Sequence, residues 1–80
     1  MKIKKQTAKA QELLQAAARH LQKGEFQQAE YLYKKVLRDQ KNNPHAYFGL
    51  GFVYKEQRRL DEAITCYKRA VLFNSNYFLM

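Results

Sequence analysis

Sliding the chain along itself by 34 residues places Ala29, Tyr33, Lys34 and Asn42 on Ala63, Tyr67, Lys68 and Asn76 without a gap. Phe26 then meets Leu60, Lys35 meets Arg69 and Leu37 meets Val71, so side-chain size and charge repeat along with identity. A fixed period of this length means that one supersecondary unit occurs twice, because matched sizes at apolar positions are what packing imposes on a repeat. Residues 10–43 and 44–77 are read as the two copies, with 1–9 as a basic extension of the first helix and 78–80 as an apolar ending. At 80 residues there is room for one small domain and for nothing larger in this chain.

Within each copy the apolar residues recur every three or four positions, the spacing by which an amphipathic helix buries one stripe. Four helices are predicted. The first runs from about Thr7 to Lys23, with Leu13, Ala16, Ala17 and His20 on one face, and the second from about Phe26 to Asp39, with Ala29, Tyr33, Val36 and Leu37. The third runs from about Pro44 to Gln57, with Tyr47, Leu50, Gly51 and Tyr54, and the fourth from about Leu60 to Phe73, with Ala63, Ile64, Tyr67, Ala70 and Val71. Three Gly and one Pro leave too little turn chemistry for a sandwich or barrel, so the fold class is all-α. A hydrophobic fraction of 46% is enough for a folded core.

Punctuation agrees. Gly24 separates the first two helices, and Asn43 stands as N-cap before Pro44, whose missing N–H costs nothing at the first helical position. Asn42, with Asn74 and Asn76 one repeat later, can tolerate the left-handed conformation that commonly ends a helix. Ala17, Ala29, Gly51, Ala63 and Ala70 are expected where helix backbones approach closely. Gly51 gives up about 1 kcal/mol of helix propensity, which points to a packing role.

The second copy, PHAYFGLGFVYKEQRRLDEAITCYKRAVLFNSN, resembles a tetratricopeptide repeat. Tyr47, Leu50, Gly51, Tyr54, Ala63, Tyr67 and Ala70 follow its pattern in order, and Ser75 stands where the family usually has Pro. The first copy keeps Gly24, Ala29 and Tyr33 but has Leu13, Ala16, Ala17 and His20 in place of the aromatic, Leu-Gly and Tyr. The resemblance implies two antiparallel helix-turn-helix hairpins stacked as a short right-handed α-solenoid. It implies binding without catalysis, in a concave groove lined by the first helix of each repeat. Carried over by position, the groove residues are Gln11, Leu14, Ala18, Leu21 and Gln22, with His45, Phe48, Phe52, Lys55 and Glu56 from the second copy. The family's clamp for C-terminal carboxylates needs Lys and Asn on this surface, where Leu14, Ala18 and Gly49 stand instead, so a chaperone-tail binder is not expected.

Phe48 and Phe52, one turn apart beside Leu14 and Ala18, are expected to form an apolar patch not needed for the repeat's own core. Such a patch marks an interaction site. Its partner is a peptide or helix of another protein, or else another part of the same assembly. The second alternative draws on energetics: stable solenoids usually need three or more repeats with polar ends. Phe73, Tyr77, Phe78 and Leu79, with Met80, instead make an apolar ending that resembles the start of a further repeat, and are assigned to self-association, or else to a longer array in which the next helix packs on the fourth.

Fifteen Lys and Arg against seven Asp and Glu give a net charge of +8. Lys34, Lys35, Arg38 and Lys41, repeated as Lys68 and Arg69, are expected to form a convex basic ridge. This is read first as a solvated face, helped by Glu30 one turn before Lys34. Nucleic acid or an acidic protein is the alternative ligand for that ridge, resting on charge alone, and it stands third. Lys2, Lys4, Lys5 and Lys9 make a basic arm that lacks the apolar face a membrane-surface helix needs.

No enzyme, cofactor or metal site is expected. His20 is read as a core histidine bonded to a neighbour, His45 as exposed, and Cys66, the single cysteine, as a structural thiol. The opening MKIKK is followed by polar sequence where an export signal would need an apolar run. No stretch approaches the length of a membrane span, so a cytoplasmic protein is expected.

Overall fold

A computed structural model describes residues 2–74, with side chains from Lys9 onward. Among the described residues four helices follow one another: α1 (Lys2–Gln22), α2 (Phe26–Asp39), α3 (Pro44–Glu56) and α4 (Leu60–Phe73). The first begins five residues before the expected Thr7, and the boundaries of α2 and α4 coincide with those expected. α1 with α2 and α3 with α4 form the two hairpins, and α3 packs on both helices of the first.

Both hairpin turns use the same backbone device. The Gly24 N–H donates to the Leu21 carbonyl at 3.0 Å and the Glu25 N–H to the His20 carbonyl at 2.9 Å. One repeat later the Arg58 N–H donates to Lys55 at 3.0 Å and the Arg59 N–H to Tyr54 at 2.8 Å. These paired bonds close a Schellman motif, whose C′ residue must be left-handed. Gly24 has φ +76° and Arg58 has φ +63°. The left-handed residues therefore lie inside the hairpins, and Asn42 and Asn74, which can tolerate that conformation, do not adopt it. α2 and α4 end on Gln40 and Asn74 with negative φ, because there the chain leaves the helix extended. Asn76 lies outside the described residues.

Between the hairpins the chain is set by Asn43. Its Oδ1 accepts from the Ala46 N–H at 3.0 Å, its amide donates to Gln40 Oε1 at 2.7 Å, and Pro44 opens α3.

The core collects Ala17, Ala29, Tyr33, Val36, Ala46, Leu50, Val53, Tyr54 and Ala63 from all four helices. Two glycines of α3 serve it. Gly51 lies under Tyr67, whose Cε1 is 2.7 Å from where a β-carbon would sit, and Gly49 lies under the ring of Tyr33. Gly49 is thus buried between the two repeats and not on the groove surface where the sequence comparison set it. On α4 the buried residues are Ala63, Cys66 and Ala70, whereas Ile64 and Val71, expected on the buried stripe, are 51% and 44% exposed. Their side of α4 faces away from α3, the one helix it packs against among the described residues.

Candidate groove between the first helices

α1 and α3 approach each other, and an open cleft of about 340 Å³ runs between them, lined by Gln11, Leu14, Gln15, Ala18 and His45. Four of these residues were expected in the groove. Gln15 was not, although it lies one turn beyond Gln11 and its place one repeat on is the buried Gly49. α3 continues its wall from His45 with Phe48 and Phe52, which are 38% and 43% exposed. The Phe48 ring meets Tyr67 at 5.8 Å with a 60° tilt, which ties it to α4. Lys55 carries its ammonium 5.5 Å from the Phe52 ring, a cation–π contact that holds a positive charge at the end of the apolar strip. Gln22 and Glu56 are exposed farther along the same two helices.

Leu14 and Leu21 also pack against the core, so both belong to the scaffold as well as to this wall. That differs from the expectation that Leu14 is not needed by the repeat, and the reason is its neighbour: α1 is clamped between α2 and α3.

Lys34 pairs with Glu30 at 2.9 Å, and Glu30 also accepts from the Tyr54 hydroxyl at 3.1 Å and lies 3.9 Å from Arg59. Burial alone would raise the Glu30 pKa. The hydrogen bonds from Lys34 and Tyr54 and the charges of Lys34 and Arg59 outweigh it and hold the carboxyl below its ordinary range. The same hydrogen bond to Glu30 raises the Lys34 pKa. Lys34 thus pairs with Glu30 at the surface of the molecule. Arg38, Lys41, Lys68 and Arg69 are exposed, and Arg69 lies 5.9 Å from the Tyr47 ring, while Lys35 stands over Tyr31. α2 and α4 have no Cα pair within 8 Å, so the basic residues of the two helices sit on elements that do not pack together. Phe73 stacks on Tyr47 at 5.8 Å, and Tyr77, Phe78 and Leu79 lie outside the described residues.

His20 is half-exposed and not in the core; its Nδ1 is 2.6 Å from Glu25 Oε1, which ties the end of α1 to the start of α2. A second open cleft of about 390 Å³, lined by His20, Gln27, Gln28, Tyr31 and Leu32, lies beside it. Burial pushes the Cys66 thiol pKa up. Among the described residues no cluster of His, Cys, Asp and Glu is placed to hold a metal ion, and no helix is long and apolar enough to cross a membrane.

A family model described as tetratricopeptide repeat matches residues 20–77, which takes in the end of the first helix and the three that follow. Searches of curated proteins and of solved structures gave no match.

Proposed function

The chain belongs to the tetratricopeptide repeat family, whose repeats mediate protein–protein interaction, and from that premise we propose that it holds an extended segment of another protein in the groove between α1 and α3. The observation that supports this reading is the exposure of Phe48 and Phe52 on α3, the helix that contributes His45 to the cleft beside Leu14 and Ala18 of α1. Fully burying a Phe side chain is worth about 1.5–3 kcal/mol, and both rings still have much of that to gain.

The lining also describes the ligand. Gln11 and Gln15, one turn apart, offer amide groups that can both donate to and accept from a peptide backbone. Leu14, Ala18 and the two phenylalanines receive apolar side chains. Lys55 favours an acidic residue at the Phe52 end, and the net charge of +8 speeds the approach of an anionic segment.

Fluorescence anisotropy with labelled ten-residue peptides tests this, using a Leu- and Ala-rich core flanked by Glu and the same core flanked by Lys. The Glu-flanked peptide should bind the more tightly. Phe48→Ser with Phe52→Ser should abolish binding while the far-ultraviolet circular dichroism stays unchanged. Equal binding of that double variant overturns the proposal, as does a panel in which neither peptide binds.

A further inference from the structure

The 34-residue period lets the molecule itself show what the exposed face of α4 is built for. In the first repeat the α2 face around Tyr33 is covered by α3, which meets it with Gly49 and the neighbouring buried Ala46 and Val53. One repeat later the same face of α4 carries Tyr67 with Leu60, Ile64 and Val71. These last three are 59%, 51% and 44% exposed. They recur at intervals of four and seven residues and so form one stripe along the helix. The polar hub of the covered face is missing here: Ile64 stands where Glu30 stands in the first repeat. This end is therefore more apolar than its covered counterpart.

Head-to-tail stacking of copies does not satisfy it. The α1 residues at the positions that α3 uses for docking are Glu12, Gln15 and Arg19, in place of Ala46, Gly49 and Val53, and all three are exposed. An open filament would lay those polar groups on Ile64 and Tyr67.

We infer that the α4 face is the interface of a two-fold symmetric dimer of this chain, in which two α4 helices lie antiparallel, tail end to tail end. Leu60 of one copy then meets Val71 of the other, and the two Ile64 side chains flank the axis. Charge supports the second copy as the occupant. Asp61 and Lys68 border the same edge of the stripe, seven residues apart, so an antiparallel two-fold places each Asp61 near the other copy's Lys68. The wider charge distribution agrees. Residues 1–43 carry ten Lys and Arg against four Asp and Glu, whereas 44–80 carry five against three. Contact through α4 therefore keeps the two strongly basic halves at opposite ends of the dimer.

Sedimentation velocity of the full chain, from roughly 1 to 500 μM, reads the outcome. The expected result is a monomer–dimer equilibrium that moves toward monomer on dilution. Ile64→Asp, at an exposed site, should give monomer at every concentration with unchanged helical signal. Asp61→Lys and Lys68→Asp should each weaken the dimer by roughly tenfold, since the symmetry axis counts each contact twice. The double variant should regain the lost association. A wild-type monomer throughout overturns the inference, and if removing residues 75–80 then produces a dimer, the covering element is that segment. A dimer indifferent to Ile64→Asp, or a double variant no better than the single ones, also overturns it. Phe52→Ser leaves this dimer intact, which separates the α4 contact from the peptide groove.

Discussion

The ring of Tyr33 on α2 occupies the space that a β-carbon on Gly49 of α3 would need, so the two repeats meet through the absence of a side chain. Gly49→Ala should therefore destabilise the protein. Alanine is the better helix former by about 1 kcal/mol, but overpacking a filled site costs about 1–3 kcal/mol. Urea unfolding followed by circular dichroism should show a lower midpoint with an unchanged slope. A higher midpoint would mean that Tyr33 moves aside freely.

Arg58 holds the left-handed position that Gly24 holds one repeat earlier. A non-glycine residue there is strained by about 1–2 kcal/mol, part of which glycine returns to unfolded-chain entropy. Arg58→Gly should raise stability by about 0.5–1 kcal/mol. Gly24→Ala should lower it by about 1 kcal/mol, and since open space surrounds that position, the loss is conformational and not steric. Thermal melts of both variants check the opposite signs.

Glu30 joins the repeats through Tyr54, and its carboxyl titrates below its ordinary range in the folded protein. The folded state thus binds fewer protons than the unfolded chain around the ordinary value, so this group's contribution is complete above about pH 4.5 and is lost as the pH falls through the lower folded value. Glu30→Gln should flatten the acid limb of a stability-versus-pH curve while leaving the helices formed. Parallel acid limbs for the variant and the parent would contradict the assignment.

Cys66 is buried on α4, and burial raises its thiol pKa. Ellman's reagent at pH 8 should react far more slowly than with a free thiol and accelerate with urea, because the thiolate is the reactive form and access requires opening of the second hairpin. Reaction at the rate of an unfolded peptide would show that α4 separates easily from α3.

Much of this was legible in the residues. The period of 34 and the three- to four-residue apolar spacing located all four helices, since a helix records its buried face in local spacing. Asn43–Pro44 announced the start of α3 because capping is a local matter of one side chain and three amides. The left-handed position at Arg58 escaped, although the shift that aligns the repeats carries Gly24 onto it. Groove positions were available through the family pattern, and the cleft brings Gln11, Leu14, Ala18 and His45 together.

By itself the chain's order of residues determined that two like hairpins form and where they turn, because propensity, capping and periodicity act over a few neighbouring residues. Only the tertiary structure decided that Gly49 lies beneath Tyr33, that Glu30 gathers Lys34, Tyr54 and Arg59, and that Ile64 and Val71 face outward. Those outcomes depend on which helix packs across each face. A stripe of apolar residues states that it would be buried, but not whether a partner is there to bury it.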